Sequence, residues 1–122
     1  QTLRKKNPAI QIIGVEPAGS PVLSGGQAGT HQIQGIGPGF VPEILKKELL
    51  SEIKQVSDND AITMARRLAT EEGILAGISS GAAVHVASVI SEKPENKGKL
   101  IVVILADTGE RYLSTAMFEG IE

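Results

Sequence analysis

The sequence predicts an α/β fold, built on an open, twisted and mainly parallel sheet with flanking helices. Two continuous apolar runs of strand length, at residues 10–16 and 100–105, are typical of parallel strands that are buried on both faces. Segments with helical periodicity lie between these runs and alternate with shorter apolar runs. Strands that alternate with helices favour right-handed crossover connections, which keep neighbouring strands parallel.

The first third of the chain is predicted to contain a short helix, a strand and a long loop. Residues 1–7 are typical of the last turns of a helix, which Pro8 stops. The strand at 10–16 follows. From 17 to 42 the chain is irregular, and seven of its 14 glycines lie between positions 19 and 39. A loop of this length within one domain is more often functional than a simple connection.

The middle of the chain is predicted to form a strand between two helices. A short helix is expected over 43–50, and a half-buried strand over 52–57. Acidic residues follow Ser57, which predicts a helix N-cap and first turn at this point. The helix that starts here has small and apolar residues at helical spacing and is predicted to end at Gly73.

Four further segments complete the predicted fold. The apolar run at 74–78 is expected to be a buried strand end, and a nearly all-apolar helix is expected over 82–90. The run at 100–105, LIVVIL, is the most hydrophobic of the predicted strands. The segment 110–119 closes the chain after a turn.

A polar turn of small residues, Ser79-Ser80-Gly81, separates the predicted strand at 74–78 from the next helix. This order places Ser79 at the carboxyl end of a strand, beside the N-terminus of a helix. Ligands of open α/β sheets bind at such strand ends, where unpaired N–H groups and the positive end of the helix dipole are available. The alternative is that Ser79 or Ser80 simply caps the helix and that Gly81 eases the turn.

Composition limits the functions that the chain can have. Its 122 residues suit one domain, and a net charge of −2, from 12 basic and 14 acidic residues, argues against a nucleic-acid or anionic-membrane surface. No cysteine is present, which excludes disulfides and thiol chemistry, and no metal-ligand spacing occurs. There is neither an apolar run of roughly 18 residues, as a membrane span needs, nor a visible secretory signal. We expect a cytoplasmic protein, with an organellar form as the alternative, because a targeting peptide could precede residue 1.

The segment 77–83, GISSGAA, resembles the part of the cysteine synthase (O-acetylserine sulfhydrylase) family that faces the pyridine ring of pyridoxal 5'-phosphate. In that family the first serine of the pair hydrogen-bonds the ring nitrogen, and the resemblance implies this role for Ser79. A hydroxyl does not force protonation of that nitrogen as a carboxylate would. The resemblance therefore implies a modest electron sink, which suits β-elimination and β-replacement better than transamination.

The loop at 34–42, QGIGPGFVP, resembles the QGIGAGF loop at the mouth of the amino-acid site in the same family. As a phosphate-binding loop it is weak, because its third glycine is misplaced for a dinucleotide motif and Pro38 lacks an N–H donor. A structural surface loop is the other alternative. Proline at position 38, where the family often has alanine, predicts a stiffer flap. The resemblance implies that five residues of this flap bind substrate or line its entrance: Gln34, Gly35, Ile36, Gly37 and Phe40.

The segment 107–115, DTGERYLST, matches the family at positions 109–115. Because it follows the predicted strand at 100–105, its turn is expected near Ser79 across the sheet. Ala106 replaces the proline that is usual in the family. This leaves open the roles of the two residues that follow it, Asp107 and Thr108.

Four other side chains with polar chemistry are given little weight as site residues. Glu110 and Arg111 could form a structural charge pair, which we favour over a catalytic role, since exposed pairs are common and modest in energy. His85 lies on a predicted helix and is expected to be a packed or half-exposed side chain. His31 lies in the loop, where it could contact a ligand, but a single histidine carries little information about a site.

Further family motifs occur in order along the chain: KNP at 6–8, GVEP at 14–17, SPVLSGG at 20–26, HQIQGIG at 31–37, EEGILAGISSGAA at 71–83 and KPENKGKLIVVI at 93–104. The resemblance implies the C-terminal portion of the tryptophan synthase β-like fold of fold-type II pyridoxal-phosphate enzymes. The family's Schiff-base lysine and its phosphate-binding loop have no counterpart here. We therefore expect residues 1–122 to be a C-terminal cofactor-domain fragment, inactive on its own, without the N-terminal part that carries that lysine.

The resemblance implies that the intact enzyme makes cysteine from O-acetylserine and sulfide by a pyridoxal-phosphate-dependent β-replacement, as a homodimer. The nearest alternatives are a β-cyanoalanine synthase and a sulfhydrylase that uses O-phosphoserine. A different class is a non-catalytic module that binds the C-terminal tail of serine acetyltransferase, as family members do at the active-site mouth. An unrelated nucleotide-binding domain is a third alternative, which the lack of a convincing phosphate loop disfavours. No nucleic-acid or membrane partner is expected.

Overall fold

A computed structural model describes residues 1–120, in which helices accompany a small parallel sheet. The main elements are helix α1 (Thr2–Lys6), strand β1 (Ile13–Pro17), strand β2 (Glu52–Val56), helix α2 (Asp58–Glu72) and helix α3 (Ile78–Ser91). Short 3₁₀ turns lie in the connections at Lys47–Leu49, Pro94–Asn96 and Gly109–Tyr112. Residues 1–120 contain no helix that is long and apolar enough to cross a membrane.

The sheet consists of β1 and β2, which pair in parallel with Ile13 opposite Glu52 and Pro17 opposite Val56. Both strands were predicted, at 10–16 and 52–57, and the structure confirms them with small changes of boundary. The long loop between them returns the chain to the edge at which β2 begins. It therefore connects the two strands and also carries the glycine-rich loop, residues 33–42, which contains the flap predicted at 34–42.

The helix predicted over 43–50 is wrong in extent, because the chain there forms only the 3₁₀ turn Lys47–Leu49. Leu50 already has an extended backbone, with φ −79° and ψ 133°, and leads directly into β2. The helix predicted over 1–7 is confirmed as α1. Its Arg4 donates hydrogen bonds to the carbonyl of Leu49 at 3.1 Å and to the hydroxyl of Ser51 at 2.7 Å, which ties α1 to the start of β2.

Helix α2 has the boundaries that the sequence predicted. Ser57 is its N-cap, and the Ser57 hydroxyl accepts a hydrogen bond of 3.1 Å from the N–H of Asp60. Gly73 ends the helix in a left-handed conformation, with φ 68°. The buried face of α2 includes Ala61 and Ala65, whose small side chains let α3 approach closely.

The predicted strand at 74–78 is wrong, because only a single antiparallel bridge forms there, between Ala76 and Thr108. Helix α3 begins at Ile78, four residues before the predicted start at 82, with Gly77 as its N-cap. The run is apolar because Ala76 and Ile78 are buried in the core, not because it is part of a ladder. The predicted polar turn is in fact the first turn of α3.

The predicted strand at 100–105 is also wrong within the described part of the chain, where this segment has no ladder partner. Leu100 is 90% exposed, and Val102 and Ile104 are each 76% exposed. The physical reason is that a strand requires a neighbour, and β1 and β2 pair only with each other in residues 1–120.

The core joins α2 and α3 to the glycine-rich loop and the closing segment. Its buried side chains are Ile33, Val56, Ala61, Ala65, Ile78, Ala82, Val86, Tyr112 and Met117. Arg66 on α2 fastens the closing segment, since its guanidinium donates to the carbonyls of Ala116 and Met117, each at 2.6 Å, and of Glu119 at 2.8 Å. Ile33 anchors one end of the glycine-rich loop in the same core.

Candidate functional site

Two neighbouring serines in the first turn of α3 have different surroundings. Ser80 is buried, and its hydroxyl oxygen accepts a hydrogen bond of 3.2 Å from the N–H of Ala106. Ser79 is half-buried, and nothing within residues 1–120 hydrogen-bonds its hydroxyl. Neither serine caps the helix, because Gly77 occupies the N-cap position and no side chain caps it. Ser80 is therefore structural, whereas Ser79 Oγ is available to a ligand.

The glycine-rich loop passes beside Ser79 at Gly35. A β-carbon built on Gly35 would lie 3.8 Å from Ser79 Oγ, so the backbone of the loop and the hydroxyl face each other. Gln34 and Gly35 are exposed, whereas Ile36 is half-buried and packs against the core. The structure thus places the Ser79 hydroxyl next to Gly35, one of the residues predicted to bind substrate.

Three glycines determine the path of this loop. Gly35, Gly37 and Gly39 have φ values of +93°, +62° and +84°, in the left-handed region that disfavours any side chain. Gly37 also approaches Pro17 at the end of β1, since a β-carbon on Gly37 would lie 2.6 Å from Pro17 Cγ. The alternation of glycines is therefore required by the backbone path itself.

Phe40 lies at an apolar cleft, with a volume of about 180 Å³, between the glycine-rich loop and the loop that follows β1. The Phe40 side chain is 61% exposed, which places the ring at the rim. Ile36 and Gly37 also line this cleft, whereas Ser79 does not. Phe40 therefore lies on the part of the loop beyond the contact with Ser79.

A buried carboxylate supports this cleft. Glu16 is 2% exposed and accepts hydrogen bonds from the N–H groups of Leu23 at 2.8 Å and Ser24 at 3.1 Å, and from the Ser24 hydroxyl. These donors hold the loop after β1 against the strand. The sequence placed Glu16 in a family motif but gave no sign of this role, because the donors come from a turn whose geometry is set by tertiary structure.

Asp107 and Tyr112 form a second polar pair close to the start of α3. The Tyr112 hydroxyl donates a hydrogen bond to Asp107 Oδ2, and Gly77 N–H donates to the Asp107 carbonyl at 3.3 Å. Burial raises the pKa of Tyr112 to about 12, and the hydrogen bond and negative charge of Asp107 act in the same direction. Asp107 Oδ1 is buried without a hydrogen-bond partner in residues 1–120. This pair fixes the turn that faces the N-terminus of α3.

The expected charge pair between Glu110 and Arg111 is wrong for the described part of the chain. The ion pairs there join Lys54 to Glu52 and Arg67 to Glu71. Glu110 and Arg111 are both exposed within the turn Gly109–Tyr112, where consecutive side chains point in different directions.

Comparison with protein families identifies the class of protein. The profile of the family described as pyridoxal-phosphate dependent enzymes matches residues 1–107. The match covers most of the chain, and the chain belongs to this family. The fold is accordingly that of the tryptophan synthase β-like enzymes, of which the described residues form a part.

Individual relatives show which members of the family this chain is similar to. A cysteine synthase of Staphylococcus aureus is 49% identical over 118 residues, which are 97% of this chain and 38% of that protein. The crystal structure of a cysteine synthase from Entamoeba histolytica superposes with a TM-score of 0.94 at 50% identity, over 95% of this chain and 34% of that one. An O-ureido-L-serine synthase superposes with a TM-score of 0.92 at 41% identity, over 100% of this chain and 38% of that one.

The surroundings of Ser79 fit the pyridine nitrogen of pyridoxal phosphate. A ring nitrogen needs one hydrogen-bond partner at the edge of a flat ring, and Ser79 Oγ is a half-exposed hydroxyl beside a glycine that adds no side chain. The chain spans 38% of the length of the curated relatives that it matches.

Proposed function

We propose that this chain acts as the C-terminal, cofactor-facing part of an enzyme that makes cysteine from O-acetylserine and sulfide. The observation that carries the proposal is the juxtaposition of an available Ser79 hydroxyl with the backbone of Gly35. Pyridoxal phosphate, when bound, supplies the electron sink for removal of the α-proton and loss of acetate. The similarity to cysteine synthases at about half of all positions supports this choice of reaction.

In this proposal Ser79 holds the pyridine nitrogen and sets the strength of the electron sink. A neutral hydroxyl can donate to an unprotonated nitrogen, whereas a carboxylate would stabilise the protonated form. The first turn of α3 fixes the Ser79 backbone, and the Ser80 hydroxyl anchors that turn to Ala106. Ser79 is therefore held on a rigid element, as a group that orients a cofactor needs to be.

The glycine-rich loop acts as the flap over the amino-acid substrate. Gln34, Gly35, Ile36 and Gly37 would contact the substrate and exclude water when the loop closes, and Phe40 would line the entrance. The exposure of Gln34 and Gly35 and the position of Gly35 beside Ser79 support this assignment, whereas the role of Phe40 rests on the family resemblance, since the cleft at Phe40 is not lined by Ser79.

Replacement of Ser79 by alanine tests the proposal. In the longest natural protein that carries this sequence, Ser79→Ala should weaken binding of pyridoxal phosphate and slow formation of cysteine, each by roughly 10-fold if one hydrogen bond of about 1.4 kcal/mol is lost. Ser88→Ala, a loss of the same hydroxyl two turns further along α3, is the matched control and should have wild-type affinity and rate. Wild-type behaviour of Ser79→Ala would remove Ser79 from its proposed role.

Residues 1–122 on their own are proposed to bind the cofactor weakly and to turn over no substrate. The reason is that Ser79 and the flap supply contacts to the ring and the substrate but no covalent anchor. Incubation with pyridoxal phosphate, dialysis and a scan of visible absorption test this point. A coloured, covalently held cofactor that survives dialysis would contradict it.

The nucleophile, the leaving group of the serine ester, the partners and the location of the enzyme belong to the same proposal. A β-cyanoalanine synthase and an O-phosphoserine-using sulfhydrylase share the chemistry, and rates with sulfide against cyanide, and with the two serine esters, separate them. For the non-catalytic alternative, we expect weak or no binding of the serine acetyltransferase tail to residues 1–122, measured by calorimetric titration. A homodimer in the cytoplasm is expected for the longest natural form, and light scattering and cell fractionation test it.

A further inference from the structure

One imidazole ring makes hydrogen bonds to two points of the glycine-rich loop. His31 Nε2 lies 2.9 Å from the carbonyl oxygen of Gly37, and His31 Nδ1 lies 3.2 Å from the backbone nitrogen of Ile33. The N–H of Ile33 is a donor, so Nδ1 must accept and carry no proton. The carbonyl of Gly37 is an acceptor, so Nε2 must carry the proton. Both contacts are satisfied together only by the neutral ring with its proton on Nε2.

The two contact points differ in how firmly the rest of the fold holds them. Ile33 is fully buried in the core cluster that also contains Ile78, the residue before Ser79. Gly37 is only partly buried and has a left-handed backbone, with φ +62°. A β-carbon on Gly37 would lie 2.9 Å from His31 Nε2, so the ring packs directly on its backbone. The ring thus connects a residue that is fixed in the core to a half-buried glycine with a left-handed backbone.

We propose that His31 is a positioning residue for the substrate flap, which it holds by fastening the Gly37 carbonyl to the buried end of the loop at Ile33. The segment between these residues contains Gly35, whose backbone faces Ser79 Oγ. A span of three residues with both ends held by one ring has few alternative paths. The inference rests on the proposed function for its catalytic consequence, but the state of the ring can be measured without it.

Loss of the ring should affect substrate binding more than chemistry, because His31 contacts the loop and not the reacting atoms. A net hydrogen bond corresponds to roughly 2- to 12-fold in an equilibrium constant. In the longest natural form loaded with pyridoxal phosphate, we expect His31→Ala to raise KM for the amino-acid substrate about 3- to 10-fold and to change kcat less than about 2-fold.

Two conservative variants separate the two hydrogen bonds. The amide nitrogen of His31→Gln occupies the place of Nε2 and can donate to Gly37, whereas the amide oxygen of His31→Asn occupies the place of Nδ1 and can accept from Ile33. His31→Gln should recover most of the wild-type KM, and His31→Asn should behave like His31→Ala. His85→Gln, on α3 and half-buried, is the matched control and should leave both constants unchanged. Equal KM values in all three His31 variants and the wild type would overturn the proposal.

Two further measurements on the wild type and the His31 variants do not depend on enzymatic activity. Long-range ¹H–¹⁵N NMR of labelled histidine should show the proton of His31 on Nε2, and amide exchange at Gly35 and Gly37 should be faster in His31→Asn than in His31→Gln. A proton on Nδ1, or equal exchange in the two variants, would refute the positioning role even if a variant folds poorly. If Ser79→Ala keeps wild-type behaviour while these results hold, the proposed function fails and the role of His31 in the loop stands.

Discussion

Replacement of Gly81 by alanine should destabilise the protein, although the same change would stabilise an isolated helix. Alanine is favoured over glycine by about 1 kcal/mol inside a helix. In α3, however, the added methyl group would lie 2.6 Å from Ala65 N and 2.8 Å from Ala65 Cβ, and closer still to the carbonyl oxygen of Ala61. Two of these three atoms belong to the backbone of α2 and cannot rotate away. The packing term and the propensity term therefore oppose each other.

The packing term is the larger of the two. Overpacking of a well-packed interior costs typically 1–3 kcal/mol, and a clash with helix backbone belongs at the upper end of that range. Subtraction of the gain in helix propensity leaves a net loss of about 2 kcal/mol. For a domain of this size, that loss lowers Tm by roughly 8 °C. Relief of the clash would also shift α3, which carries Ser79 two residues before Gly81.

Denaturant unfolding followed by circular dichroism measures this effect. Gly14→Ala is the matched control, because its β-carbon would meet Leu50 Cδ1 at 3.1 Å, the end of a flexible side chain, and its stability should change by less than about 0.5 kcal/mol. An unchanged or raised stability of Gly81→Ala would refute the claim that α2 and α3 are in backbone contact at this point.

Other substitutions test the polar contacts around the site. Tyr112→Phe removes the donor to Asp107 and should cost roughly 1–3 kcal/mol in urea unfolding. Because the folded pKa of Tyr112 is raised to about 12, its contribution is complete below about pH 10 and is lost as pH rises through about 12; the phenylalanine variant should lack this alkaline loss. Arg66→Met leaves three carbonyls of the closing segment without their donor and should cost roughly 2–3 kcal/mol, with faster proteolysis there. Gly35→Ala and Gly25→Ala, at φ +93° and +90°, should each cost roughly 1–2 kcal/mol of strain. Only Gly35→Ala, beside the Ser79 hydroxyl, should raise KM for the amino-acid substrate. Equal KM values for the two variants would argue against a role of this loop as the substrate flap.

Helix α2 could be predicted because residues next to its two ends determine where it begins and ends. Ser57 supplies an N-cap and Gly73 a left-handed C-cap, and both act within a few residues of the chain. The start of α3 was missed because a Ser-Ser-Gly sequence is typical of a turn. In the structure Gly77 takes the N-cap position, and the two serines fit the first helical turn because one hydroxyl is bonded and the other is half-exposed.

Contacts between distant segments could not be predicted from local patterns. The apolar run at 100–105 has the composition of a strand, but pairing depends on a neighbouring strand that residues 1–120 do not place beside it. The hydrogen bond between Asp107 and Tyr112 and the donors around Glu16 likewise depend on turns whose shape is set by the packed core. Family motifs single out Ser79 and the glycine-rich loop, whereas the proximity of Gly35 to Ser79 Oγ depends on the three-dimensional fold.

The central claim, that the Ser79 hydroxyl meets the pyridine nitrogen, is tested most directly by ¹⁵N NMR of ring-labelled pyridoxal phosphate bound to the longest natural form. The account predicts the resonance of an unprotonated, hydrogen-bonded nitrogen in the wild type and in Ser88→Ala, and a resonance displaced towards that of a free pyridine in Ser79→Ala. A resonance that is the same in all three proteins, or that of a protonated nitrogen in the wild type, would contradict it.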